Sequence, residues 1–284
     1  MLRTRVLVLD HPVIVGIVNV TPDSFSDGGR YATVEDAVAH ACALVDQGAD
    51  MLDIGGESTR PQGATPVPED EELRRVLPVL RALRTELPGV PLSVDTVKSQ
   101  VAAAALDEGA EVINDVSAFR LDPHMAAVCA AERAGVILMH SRGAVSEMGT
   151  YRHATYGNDV TGEVMAELEQ RVSTAVDAGV VRERIALDPG LGFAKRTEQS
   201  LTLLAELDRL GVFMLPVMVG ASRKRFVGES GSGAQPAQRV AGTIAANVMG
   251  LTRGARLFRV HDVGPSREAL DVAWAIECRR AGAP

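Results

Sequence analysis

Five short apolar runs each carry a polar residue at or near their C-terminal end: Met51-Leu52-Asp53, Leu92-Ser93-Val94-Asp95, Val112-Ile113-Asn114-Asp115, Val136-Ile137-Leu138-Met139-His140 and Ala186-Leu187-Asp188. One buried aspartate is often structural, bonded to a backbone turn. Three aspartates and an asparagine (Asp53, Asp95, Asn114 and Asp188) at successive strand ends would repel one another unless a cation or a donor-rich ligand lies between them. A heterocycle with amino and ring N–H donors meets that need, and Lys224 would then face its carbonyl or ring nitrogen. A second group is cationic. Arg259 and His261 stand two apart in an apolar run, so both point to one face of a strand. The pair suits a phosphate, and Gly220-Ala221-Ser222-Arg223-Lys224, ending the run before, adds more cations.

Two long polar stretches follow the first two runs. Asn19 to Tyr31 offers oxygen ligands, one aromatic (Phe25) and glycine hinges. Composition alone reads it as a turn-rich surface loop. Gly55-Gly56-Glu57-Ser58-Thr59-Arg60-Pro61, within a loop running to Pro68, gives hydroxyls, backbone N–H groups and an arginine suited to gripping an anion or covering a substrate. Other signatures are missing. Gly190-x-Gly192 lacks the third glycine of a dinucleotide turn, and there is no phosphate-binding P-loop, nucleophile elbow or HExxH.

These residues need elements to carry them. Strands are expected at 5–10 (closing the bottom of a barrel), 13–20, 51–56, 91–96, 111–116, 135–140, 184–189, 214–220 and 255–261. Helices are expected at 33–47, 69–87, 98–108, 122–134, 159–178, 197–210, 236–251 and 265–281, with Ser141–Gly157 irregular and Glu229–Gly233 a flexible loop. Thr33 is placed as an N-cap and Gly48 as a stop. Strict alternation of strand and helix implies a parallel sheet. Eight βα units without an interdomain linker imply one α/β domain over 1–284, a closed (β/α)8 barrel whose strand ends share one site. A doubly wound sheet is the other candidate, but it usually opens with a glycine-rich nucleotide turn, and here the first strand ends Asn19-Val20-Thr21-Pro22-Asp23.

Composition agrees. Of 284 residues 46% are hydrophobic, 23% charged and only 4% aromatic, so the core must be aliphatic, as buried parallel strands prefer. A net charge of −8 argues against non-specific binding to nucleic acid or anionic membranes, so an anionic substrate needs local Arg, Lys or a metal ion. The three cysteines, Cys42, Cys129 and Cys278, have no zinc spacing and form no disulfide framework. No apolar run approaches the ~18 residues of a membrane span, and the N-terminus lacks a signal-peptide pattern. A reducing cytoplasm is expected.

Taken together the segments resemble dihydropteroate synthase, the folate-pathway family that sulfonamides inhibit. The matching stretches run in family order: Gly16–Gly29, Asp53–Pro61, Ser93–Thr96, Ile113–Asp115, Met139-His140, Leu187–Phe193, Gly220–Lys224 and Arg259–Val263. The resemblance implies a TIM barrel, usually a homodimer, that condenses 7,8-dihydropterin-6-ylmethyl diphosphate with p-aminobenzoate to give 7,8-dihydropteroate and diphosphate. It implies that Asp95, Asn114, Asp188, Lys224 and Met139 hold the pterin. Arg259, His261 and Asn19 would hold diphosphate, with Asn19 also a Mg²⁺ ligand. Phe25, Asp27, Thr59, Arg60 and Pro61 would close over the site, and with Phe193, Lys224 and Ser222 form the p-aminobenzoate pocket. Asp95, Lys224, Arg259 and Asp27 are the catalytic candidates. The family mechanism is SN1-like, with diphosphate leaving before the aniline nitrogen attacks. Departures at Met139–Gly143 and Ala144–Gly157 mark a loop expected to differ in detail. Two other classes share the strand-end pattern: corrinoid-dependent methyltransferases and non-catalytic pterin-binding proteins. The methyltransferases should lack the Ser222-Arg223-Lys224 and Thr59-Arg60-Pro61 elements.

Overall fold

The computed structural model describes residues 1–21, 33–57 and 67–280. Among them eight parallel strands form one sheet in the order β6-β5-β4-β3-β2-β1-β8-β7. The strands are β1 (Val13–Asn19), β2 (Met51–Gly55), β3 (Leu92–Asp95), β4 (Val112–Asp115), β5 (Gly135–Met139), β6 (Ile185–Asp188), β7 (Met218–Val219) and β8 (Leu257–Val260). β1 pairs with both β2 and β8. A bridge from Leu187 to Val217, with Leu187 N–H donating to Pro216 O at 2.8 Å, closes the ring between β6 and β7. The expected (β/α)8 barrel is therefore the fold.

The helices are α1 (Val34–Asp46), α2 (Glu69–Glu86), α3 (Ser99–Asp107), α4 (Met125–Ala131), α5 (Val145–Met148), α6 (Val160–Asp177), α7 (Thr197–Ala205), α8 (Arg225–Ser230), α9 (Val240–Thr252) and α10 (Val263–Arg280). Local chemistry sets their ends. Thr33 Oγ1 accepts the Asp36 N–H at 3.1 Å, and the Asp36 carboxylate reaches back to the Thr33 N–H, a reciprocal cap. Gly48, with φ +99°, stops α1. Four acidic residues, Glu69 to Glu72, occupy the positive end of α2.

Period-two geometry explains why the polar residues converge. Interior positions run Val13-Val15-Ile17-Asn19, Met51-Asp53, Ser93-Asp95, Val112-Asn114, Ile137-Met139, Ala186-Asp188 and Leu257-Arg259. The lower positions form an apolar plug of Val13, Val15, Met51, Val112, Ile137, Met218 and Leu257. The upper positions, Ile17 and Met139 apart, are polar, and they face the C-terminal mouth. Outward residues such as Ile14, Val18, Leu52 and Ile54 pack under the helices in the main core.

Several boundaries differ from expectation. Residues 5–10 form no strand. The closed barrel leaves no free edge to pair with, so Leu7 and Leu9 pack instead on the bottom plug beside Leu2. The strand expected at 214–220 shrinks to Met218–Val219, because Met214 takes φ +51° and is exposed, ending a 3-10 stretch over Leu207–Phe213. That stretch also replaces the end of the helix expected over 197–210. The helix expected at 122–134 covers only Met125–Ala131, and the one at 236–251 begins at Val240 after a 3-10 turn. Helix α8 was not expected; it buries Phe226 and Val227 and takes in Glu229 and Ser230 from the supposed flexible loop. The supposedly irregular 141–157 stretch contains α5.

Candidate active site

Four strand ends meet across the barrel mouth. Arg259 of β8 donates from Nε to Asp53 Oδ2 at 2.6 Å and from Nη2 to Asp95 Oδ2 at 2.8 Å. Asn114 Nδ2 also donates to Asp53 Oδ2, at 3.0 Å. With its NH₂ donating to Asp53, Asn114 turns its Oδ1 away. That Oδ1 has no hydrogen-bond partner among the described residues. Part of the repulsion expected among the aspartates is thus relieved by Arg259 itself, not by a ligand. Asp53 is fully buried beneath the site and serves as the anchor of this network.

Asp95 and Asp188 remain above it. Burial raises Asp95 to about 7; Arg259 opposes this, while Asp53, Glu72 and Asp115 add to it. Burial also raises Asp188, opposed by Lys224 and by the Gly190 N–H, which donates to Oδ1 at 2.7 Å. Lys224 Nζ donates to Leu191 O at 2.6 Å and sits 4.3 Å from the centre of the Phe193 ring. Burial lowers its pKa to about 8, with Asp188 opposing. Gly220 lies against both groups: a Cβ there would stand in ordinary contact, 3.5 Å from Asp188 Oδ2 and 3.6 Å from Lys224 Nζ.

One cavity of about 610 Å³ joins these groups. Asn19, Asp95, Asn114 and Asp188 line its polar part, beside Met139. Phe193, Ser222, Lys224, Arg259 and His261 line the rest, and Phe193 packs on an apolar patch of Val116, Met139 and Met148. Ser222 and His261 are linked, with Oγ 2.9 Å from Nδ1 and the His261 N–H donating to Oγ at 3.1 Å. Arg223 is not an available cation. It takes a φ of +57° and pairs with both oxygens of Asp262, at 3.0 and 2.6 Å. Phe25, Asp27, Thr59, Arg60 and Pro61 lie outside the described residues.

Sequence reasoning missed two clusters. Lys98 Nζ binds Glu57 at 2.5 Å and also binds the buried Glu72, while Glu57 accepts the Val67 N–H at 3.2 Å. This ties residues 57 and 67 together, and the only signal was Glu57 inside a quoted motif. Lys195, His140 and Glu167 form a second cluster behind the β6–α7 turn. Two of these stood in motifs or beside them, but their contact is visible only in three dimensions. For a metal, the described residues hold no group of three or more His, Cys, Asp or Glu. The Asn19 amide is one hard oxygen donor on the cavity wall. This suits Mg²⁺, which takes few protein ligands and completes its shell with water and phosphate.

The pterin binding enzyme family model matches residues 15–261. A dihydropteroate synthase from Synechocystis is 43% identical over 263 residues, covering 93% of this chain and 89% of that protein. The chain belongs to the dihydropteroate synthase family. Solved structures of the family superpose closely. Xanthomonas albilineans dihydropteroate synthase with 4-aminobenzoic acid gives a TM-score of 0.89 at 49% identity, with 96% of each chain covered. Yersinia pestis dihydropteroate synthase in a sulfonamide drug complex gives 0.90 at 39% identity, with 98% of each covered. The matched span runs from within β1 to His261, so every dihydropteroate synthase position lining the cavity falls inside it.

Proposed function

We propose that the protein condenses 7,8-dihydropterin-6-ylmethyl diphosphate with p-aminobenzoate, releasing diphosphate and 7,8-dihydropteroate. Family membership makes it a transferase of folate synthesis. The observation that carries the assignment is continuity. A polar slot suited to a pterin and an aromatic slot suited to p-aminobenzoate share one cavity, and Lys224 belongs to both.

Asp95, Asp188 and Asn114 Oδ1 accept the amino and ring N–H donors of the pterin, and Lys224 faces its carbonyl or ring nitrogen, with Met139 beneath. Arg259, His261 and Asn19 hold the diphosphate. Arg259 keeps Nη1 for this, since Nε and Nη2 are committed to Asp53 and Asp95. Mg²⁺, held by Asn19 and the substrate's phosphate oxygens, would supply Lewis-acid neutralisation of the leaving group. As the C–O bond breaks, positive charge grows on the pterin, and the fixed Asp95 carboxylate stabilises it. Phe193 and Ser222 hold the p-aminobenzoate ring so that its nitrogen attacks the exposed carbon. Phe25, Asp27, Thr59, Arg60 and Pro61 are assigned to the covering loops by motif.

A cytoplasmic homodimer belongs to the same reading. No described helix is long and apolar enough to cross a membrane. Val272 and Ile276, one turn apart on α10, are 59% and 62% exposed, and Met249 on the neighbouring α9 is 44% exposed, an apolar face suited to a second copy. Sedimentation at twice the monomer mass checks this. Diphosphate release from the pterin substrate, with and without p-aminobenzoate, tests the function: a methyltransferase or a simple pterin-binding protein would release none.

A further inference from the structure

A buried lysine stands behind the cavity wall, outside the proposed chemistry. The turn after β6 is irregular: Gly190, Gly192 and Ala194 take φ of +69°, +76° and +47°. Such alternation makes no regular ladder, so carbonyls turned inward need other donors. Lys195 Nζ donates to two of them: to Gly190 O at 3.0 Å, which also accepts the Phe193 N–H at 3.0 Å, and to Phe193 O at 3.1 Å. Its third neighbour is His140 Nδ1 at 2.8 Å, and His140 Nε2 lies 3.0 Å from Glu167 Oε2. Arg142 holds the other Glu167 oxygen through Nε at 3.0 Å.

Donor counting fixes the protons. Glu167 only accepts, so His140 presents Nε2–H to it and leaves Nδ1 as an acceptor. Burial, helped by Lys195, lowers His140 to about 4, so the ring is neutral. Nζ then faces three acceptors, and three N–H donors are what an ammonium offers. Burial pushes the Lys195 pKa well down. Asp188 on β6 opposes that push, as does Glu167 on α6, while Lys224 and Arg142 add to it. The turn has little room to relax. A Cβ on Gly190 would stand 1.9 Å from His140 O.

The outer face of this turn is the aromatic side of the cavity. Gly192 and Phe193 line it, and Leu191 O anchors Lys224 above the Phe193 ring. We infer that Lys195 is a positioning residue for the aromatic amine: by pinning the Gly190 and Phe193 carbonyls, with His140 and Glu167 behind it, it sets the wall formed by Phe193 and Lys224. The inference rests on the assignment of that wall to p-aminobenzoate.

Lys195→Met keeps the apolar stem and removes the donors. KM for p-aminobenzoate should rise about tenfold, while KM for the pterin diphosphate and kcat each change less than about threefold. Glu167→Gln, on a partly exposed face of α6, keeps the fold if Lys195→Met does not. It should raise the same KM about threefold. Melting curves accompany both. If the variants that fold melt lower but keep both KM values within about twofold, or if both KM values rise together, Lys195 only supports the fold and the inference is wrong. A wild-type protein that makes no dihydropteroate overturns the assigned function and this inference with it. An active wild type whose variants leave the p-aminobenzoate KM unmoved overturns this inference alone.

Discussion

Replacing Asp95 by asparagine separates charge from shape. An asparagine oxygen can still accept from Arg259 Nη2, now 2.8 Å from the carboxylate, and Arg259 keeps its 2.6 Å bond to Asp53. The arginine is therefore neither released nor left without a counter-ion. What disappears is one negative charge beside the developing pterin cation. At roughly 4 Å, with an effective dielectric constant near 20, that interaction is worth about 4 kcal/mol. One preorganised electrostatic contact measured by mutation costs a similar roughly 3–4 kcal/mol, or about 10²–10³ in rate. The ground-state pterin is neutral at the reacting carbon and keeps Asp188 and Asn114 as acceptors, so its affinity should fall less than the rate. The assay is a rapid-quench single turnover alongside titration of pterin diphosphate binding. Equal losses in binding and rate would make Asp95 a recognition residue and refute the cation-stabilising role.

Other outcomes follow from the same geometry. Asp95, raised to about 7, must be ionised and Lys224, lowered to about 8, must be protonated. The profile of kcat/KM for the pterin substrate should therefore rise through about pH 7 and fall above about pH 8; a flat profile from pH 6 to 9 would exclude these two groups as the titrating pair. Sulfonamides should compete with p-aminobenzoate for the Phe193 and Ser222 slot, raising its apparent KM with kcat unchanged, so inhibition that excess p-aminobenzoate does not relieve would count against a shared slot. Thorough chelation should lower turnover and added Mg²⁺ restore it, whereas full activity in excess chelator would remove the metal from the account.

Much of this was legible because buried parallel strands write themselves as aliphatic runs, and an inward-facing polar residue at the end of such a run points to the mouth. Asp95, Asn114, Asp188, Lys224 and Arg259 all lie where that logic puts them. Contacts across the barrel were not legible. Arg259 is 206 residues from Asp53, and nothing local shows that the arginine would neutralise the aspartates. The Lys195 cluster joins β5, α6 and the turn after β6, and no spacing rule links them. Residues 5–10 misled for a different reason. Their alternation of Val6, Leu7, Val8 and Leu9 has a strand's period, but the closed ring has no edge to accept a ladder, so the pattern serves packing alone. The end of β6 misled least, since Pro189 and Gly190 forced the turn that frames the site.

The most direct test of the account is diphosphate release by the purified protein given 7,8-dihydropterin-6-ylmethyl diphosphate, with and without p-aminobenzoate, with the pterin product identified by mass. Sustained release that depends on p-aminobenzoate, one diphosphate for each 7,8-dihydropteroate formed, is the predicted result. Tight pterin binding with no diphosphate released under either condition would contradict it.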